Sequence, residues 1–179
     1  MIWKKKKKIE KKKGIGSLFS ILGGILAIAG FFLPLVRQVP QKHLPPDLKE
    51  NTQLQEFVSD ITTPNPNSQQ EISIPKKFVS LFRLAKQFPQ TAIPFVLGLI
   101  GVFIGAYFYK LALLNFLLGI GGIYSLFAHP FANAAGVGFL IEHSFLGMWS
   151  MSLGFLFMML GGIMTFKKNL HKSRKKKNK

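Results

Sequence analysis

Residues 92–130 read AIPFVLGLIGVFIGAYFYKLALLNFLLGIGGIYSLFAHP, and Lys110 is the only formally charged side chain among them. Wound as one helix, this stretch would be about 57 Å long at ~1.5 Å per residue. The hydrocarbon core of a bilayer is only about 30 Å thick. One span is therefore too few. Two spans fit, folded back on a tight turn near Lys110. Tyr107 and Tyr109 flank that lysine, as an interfacial aromatic belt would.

Two more apolar runs lie outside the hairpin. Residues 15–36 and residues 145–166 each hold 22 residues with no charged side chain, long enough to cross. The sequence thus predicts an all-α integral membrane protein, a four-transmembrane-helix bundle. Its spans are 15–36, 92–109, 111–128 and 145–166. Residues 1–14 and 167–179 are basic tails.

The charge pattern sets the threading. The chain carries a formal charge of +17 yet is 48% hydrophobic, and its mean hydropathy is +0.26. Those values conflict in a soluble domain and agree once charge and grease are separated along the chain. Eight lysines lie among residues 4–13 and eight basic residues among residues 167–179. By the positive-inside rule both blocks stay in the cytoplasm. An even number of spans follows, so the hairpin must turn. Each basic block abuts an apolar run, so anionic lipid headgroups are its expected partner; no nucleic acid is expected. A lysine-rich start before an apolar stretch containing Ala27-Ile28-Ala29 also resembles a cleavable signal peptide. The run continues through Val36, beyond the about 7–15 residues of such a segment, which favours a retained span.

Residues 37–91 form the one sizeable polar region, with seven basic and five acidic side chains. A short helix is expected over residues 47–61, where Leu48, Leu54, Phe57 and Val58 recur at three- to four-residue spacing. Residues 62–70 read as a turn-rich loop. Residues 76–88 read KKFVSLFRLAKQF. Phe78, Leu81, Phe82, Ala85 and Phe88 share one helical face, with Lys77, Arg83 and Lys86 away from it. A basic amphipathic helix of this kind suits a membrane interface. Lys77, Arg83, Lys86, Lys167 and Lys168 are the expected headgroup contacts. The alternative for this helix is a lid over the loop's own small core. A second outer loop is expected at residues 129–144, whose apolar part, residues 136–141, either dips into the interface or lengthens the last helix.

Inside a bilayer, helices associate through close packing at small residues rather than through burial of grease. Small residues recur at four-residue spacing on every predicted span: Gly16, Ser20 and Gly24; Gly101 and Gly105; Gly121 and Ser125; Ser150 and Gly154. These are the expected helix-packing positions. The motif Leu/Ile-Gly-Gly-Ile occurs three times, at residues 22–25, 120–123 and 160–163, as a duplicated pair of spans would give and as apolar glycine-rich helices readily produce.

Candidate chemistry is sparse. The spans hold no Asp, Glu, Arg or His, and ion-coupled transport normally needs such groups in the membrane. Asn115 is the most polar group near a helix interior, where an interhelical hydrogen bond is its commonest role. There is no cysteine, which removes disulfides and thiolate metal sites. His129, Glu142 and His143 share the outer side and are candidate metal ligands. On a helix, however, neighbours such as Glu142 and His143 diverge by about 100°. No phosphate loop, dinucleotide fingerprint or G-x-S-x-G elbow is present. No catalytic residue and no cofactor is expected. The sequence points to a non-catalytic protein that scaffolds, assembles or regulates a membrane complex. Its partner would be another membrane protein or a second copy. The alternatives are a small channel or transporter subunit and an outer-facing metal-dependent enzyme. A bacterial plasma membrane is the default location, with a thylakoid or other internal membrane open.

Overall fold

A computed structural model describes residues 14–63, 79–108 and 111–177. The first lysine block, Lys77 and the turn at Lys110 lie outside the described residues. Two layers make up the fold: a set of long apolar helices, and a cap of short helices at one end.

The long helices are α1 (Ile15–Phe32), α5 (Ile93–Tyr107), α6 (Ala112–Phe127) and α9 (Leu146–Lys177). Helix α1 packs against both α9 and α5, and α6 packs against the same two. Three segments are long and apolar enough to cross a membrane: Ile15–Phe32, Pro89–Tyr107 and Leu146–His171. Helix α6 is apolar but shorter, at 16 residues. Each long helix leaves an apolar face open. Leu18, Leu22 and Ile25 do so on α1, Leu99 and Phe103 on α5, Leu117 and Ile120 on α6, and Leu153 and Leu160 on α9. A soluble protein seldom exposes continuous grease of this extent, whereas lipid tails cover it at no cost. The molecule is a membrane-embedded helical protein.

Helix ends differ from the sequence expectation where a local rule intervenes. Helix α1 stops at Phe32, short of Val36, because Leu33 precedes Pro34 and adopts extended geometry, as residues before proline prefer. Beyond it, the Leu35 amide donates to the Val79 carbonyl at 2.8 Å. At the other terminus α9 does not stop at Phe166 but continues to Lys177. Neither Gly nor Pro follows Gly162, and lysine is a good helix former.

The cap is built from α2 (Pro46–Glu50), α3 (Gln55–Ile61), α4 (Leu81–Gln87), α7 (Pro130–Ala135) and α8 (Val137–Glu142). One helix expected over residues 47–61 is in fact two. Asn51 leaves helical geometry, and its side chain accepts the Gln53 amide at 3.1 Å to start a 3₁₀ turn. Two two-residue strands, β1 (Val39–Pro40) and β2 (Thr62–Thr63), pair in parallel. Between α7 and α8 the chain turns at Gly136, whose φ of 78° is a conformation that glycine tolerates best. Leu48, Leu54, Phe57, Ile61, Leu81, Leu84, Phe131 and Leu140 are almost wholly buried. They form one apolar core that continues into the bundle through Phe31, Met151 and Phe155. The entry and exit of the bundle are stitched together: the Arg37 amide donates to the His143 carbonyl, the Phe145 amide to Leu35, and the Gly147 amide to Pro34.

Candidate functional site

Two features of the molecule carry functional weight: the seams between the long helices and the cap. The seams are made by glycines seven residues apart. On α1 they are Gly16, Gly23 and Gly30; on the antiparallel α9 they are Gly161, Gly154 and Gly147. Each faces its counterpart. A Cβ on Gly16 would stand 2.8 Å from the Gly161 carbonyl oxygen, and one on Gly30 would stand 2.8 Å from that of Gly147. A Cβ on Gly154 would lie 2.5 Å from the Gly23 oxygen and 2.6 Å from the Ala27 nitrogen. Backbone thus rests on backbone at three successive rungs. Seven-residue spacing keeps one face of each helix on its neighbour when the pair supercoils slightly to the left.

Two more seams follow the same rule. Gly24 of α1 meets Gly98 of α5, where a Cβ on Gly24 would stand 2.7 Å from the Gly98 oxygen. Seven residues along, the Ser17 hydroxyl donates to the Gly105 carbonyl. Between α6 and α9, a Cβ on Gly162 would lie 2.7 Å from the Ala112 oxygen, and one on Gly119 would lie 2.8 Å from the Phe155 oxygen.

The expected packing residues distribute over these seams unevenly. Gly16 and Gly154 serve the α1–α9 seam, and Gly24 and Gly105 the α1–α5 seam. Ser20 is buried between Gly105 and Gly161. Gly101 receives the end of the Met158 side chain. The Ser150 hydroxyl reaches across to the Leu26 carbonyl at 2.9 Å. Ser125 turns back on its own helix, donating to the Gly122 carbonyl at 2.7 Å. Gly121 stands apart, since a Cβ there would meet only Leu97, at 3.8 Å. Gly30 and Gly147 do not follow from four-residue spacing; the seven-residue repeat through Gly16 and Gly23, and through Gly161 and Gly154, is the signal that finds them.

In the cap, α4 lies on the loop's own core. Leu81, from the expected apolar face, and Leu84 beside it are fully buried, as the alternative of a lid over the loop's core has it. Phe82 remains 44% exposed and packs on Phe32, with ring centroids 5.2 Å apart. Arg83 is engaged within the protein. Its guanidinium donates to Asp60 Oδ2 at 2.6 Å and to Glu56 Oε1 at 3.3 Å, and it lies over the Phe57 ring. Gln87 adds a bond to Glu56 Oε2 at 3.3 Å. This cluster ties α3 to α4. Lys86 is exposed, its ammonium 5.3 Å from the Phe82 ring centroid. Lys167 and Lys168 are exposed at the far end of the bundle.

The candidate metal ligands are put to different uses. His129 is 1% exposed. Its Nδ1 accepts the Ala132 amide at 3.2 Å, capping α7, and its ring stacks on Phe131. Burial holds its pKa down at about 4, opposed in part by the Leu126 backbone. His143 ends α8 with its ring edge against Phe139, and Glu142 is exposed. Among the described residues no group of three His, Asp or Glu side chains stands together as a metal site would require. Sequence order had suggested a shared location; the cap instead separates the three roles.

Asn115 is buried, with 2% of its surface exposed, and its Oδ1 has no hydrogen-bond partner. It lines a cavity of about 10 Å³ together with Ser17, Ser20 and Thr165. Compared with protein-family models, with curated proteins and with solved structures, the chain matches none.

Proposed function

We propose that this is a four-span membrane protein that acts without catalysis, as a scaffold, assembly or regulatory subunit whose contact surface is the cap. Helix α6 is the fourth span. Its 16 residues cover about 24 Å, short of a full bilayer core but within reach when flanking residues lie in the interface. Both lysine blocks face the cytoplasm. Gly14 lies against the Lys168 ammonium, so the start of α1 and Lys168 share one end of the bundle, opposite the cap.

The observation that carries this reading is how the glycines are used. The seams bring carbonyls of one helix onto the backbone of the next, so these small-residue faces are taken up inside the chain. They are not available to a partner, which leaves the folded cap as the projecting surface. The same tight packing speaks against the channel reading. The cavity where the four helices meet has room for about one water molecule, not for a conducting path. The open apolar faces of the long helices suit lipid.

Two measurements test this. The chain has no native cysteine, so single cysteines report topology directly. Asn133→Cys and Gln53→Cys, both at exposed cap positions, should react with a membrane-impermeant maleimide on intact cells. His171→Cys should react only after permeabilisation. Labelling of His171→Cys from outside would reverse the threading. Second, the tagged protein extracted in mild detergent should elute with another membrane protein, or with itself, in fixed ratio. A strictly monomeric particle with no companion would refute the scaffold reading.

A further inference from the structure

We propose that the cavity between Asn115, Ser17, Ser20 and Thr165 is a binding site for one structural water molecule, which joins α1, α6 and α9 near the lysine end of the bundle.

Three observations converge on it. The Asn115 side chain is almost fully buried and its Oδ1 is unpartnered. Leaving such an acceptor unmade costs about 1–3 kcal/mol. The cavity it lines measures about 10 Å³, roughly the space that one water needs. Three hydroxyl-bearing residues, Ser17, Ser20 and Thr165, are among those that line it, and the Ser17 proton is already given to the Gly105 carbonyl. The Ser17 oxygen therefore has lone pairs to offer. Water donates one proton to Asn115 Oδ1 and accepts from, or donates to, the hydroxyls opposite. That gives it the two to four partners a buried water requires. If the amide is turned the other way, its N–H becomes the group in need, and water answers that as well.

The same walls argue against other occupants. A sodium ion would find only neutral oxygens, with no carboxylate to offset the loss of hydration, and a bare charge at such a site is expensive. An anion would meet the oxygen of Asn115 and no cation. An apolar molecule would leave the amide orphaned. A neutral, water-sized donor is the one chemistry that fits both the volume and the polarity. This water adds a polar link among three helices that the glycine seams already hold in contact.

The test uses the isotope-labelled protein in detergent micelles. Water–protein NOE spectra should show a long-lived contact between water and the Asn115 side-chain amide, and a second at the Thr165 methyl group. Absence of the Asn115 contact would overturn the proposal. Replacing sodium chloride with choline chloride should leave the melting temperature unchanged; a fall would identify a bound cation and overturn it too. In Asn115→Leu the Thr165 contact should vanish, and its persistence would place the water elsewhere. If that variant fails to fold, the two wild-type measurements still decide.

Discussion

Gly154→Ala is expected to melt far below the wild-type protein in detergent, and Gly154→Leu to yield no folded bundle. The reason is what the new Cβ would touch. It would stand 2.5 Å from the Gly23 carbonyl oxygen and 2.6 Å from the Ala27 nitrogen, both backbone atoms of α1. A flexible side chain could swing aside, but a helix backbone has to translate as a body. Moving α1 at this rung also strains the rungs at Gly16–Gly161 and Gly30–Gly147 and the seam that α1 shares with α5. Overpacking typically costs about 1–3 kcal/mol, and a contact that displaces a whole helix belongs at the upper end. Roughly 3 kcal/mol corresponds to a shift on the order of 10 °C for a chain of this size. Gly121→Ala supplies the control. A Cβ there meets only Leu97, at 3.8 Å, and alanine favours a helix by up to about 1 kcal/mol over glycine. Its melting temperature should be equal to or above wild type. Equal melting of Gly154→Ala and Gly121→Ala would mean that the seams do not hold the helices as described.

The apolar helices were legible from hydropathy alone, because a run of some twenty uncharged residues has few other uses. The seams were half legible. Four-residue spacing groups Gly16, Ser20 and Gly24, yet Gly16 faces α9 and Gly24 faces α5. Eight residues turn a helix by about 80° beyond two full turns, enough to pass from one neighbour to the other. A helix with two partners carries two seven-residue repeats, and sampled at four they merge into one. The cap was legible only in outline, for a different reason. Its helices are five to seven residues long, too short for a period to establish itself. Nor can amphipathicity say whether an apolar face meets lipid or protein. Leu81 and Leu84 look alike in either setting; only the placement of α3, clamped through Arg83 to Asp60 and Glu56, decides. His129 has the chemistry of a metal ligand, but its position explains it better. It immediately precedes Pro130, which opens α7, and an N-cap followed by proline at the first helical position is a common helix start.

Acidification should loosen the cap, and His129 should account for a separable part of the loss. Its Nδ1 accepts the Ala132 amide, so the neutral ring carries its proton on Nε2. A second proton would have to enter at Nδ1. It would then point at the Ala132 N–H, abolish the cap of α7 and place a charge among Leu126, Phe131 and Ala132, all nearly inaccessible. Burial accordingly lowers the pKa from 6.5 to about 4. Above pH 6.5 both the folded and the opened cap hold a neutral imidazole, and the contribution to stability is complete. Between pH 6.5 and 4 the opened cap binds a proton that the folded one refuses, so stability falls as pH falls. Below pH 4 both forms are protonated and the loss levels off. At ~1.4 kcal/mol per pKa unit the full loss is on the order of 3 kcal/mol. Acidification acts on the rest of the protein as well, so the comparison must be with a variant. His129→Asn keeps a side-chain oxygen able to cap α7 and cannot be protonated. It should be less stable than wild type at pH 7.5, because the smaller side chain leaves a void beside Phe131. The gap between the two proteins should narrow steadily from pH 6.5 to pH 4 and can reverse at the acid end. Hydrogen exchange of the amides at residues 131–135, followed at several pH values, reads this directly. A gap that stays constant across the range would show that the cap opens without exposing the imidazole, and that the depressed pKa has no bearing on its stability.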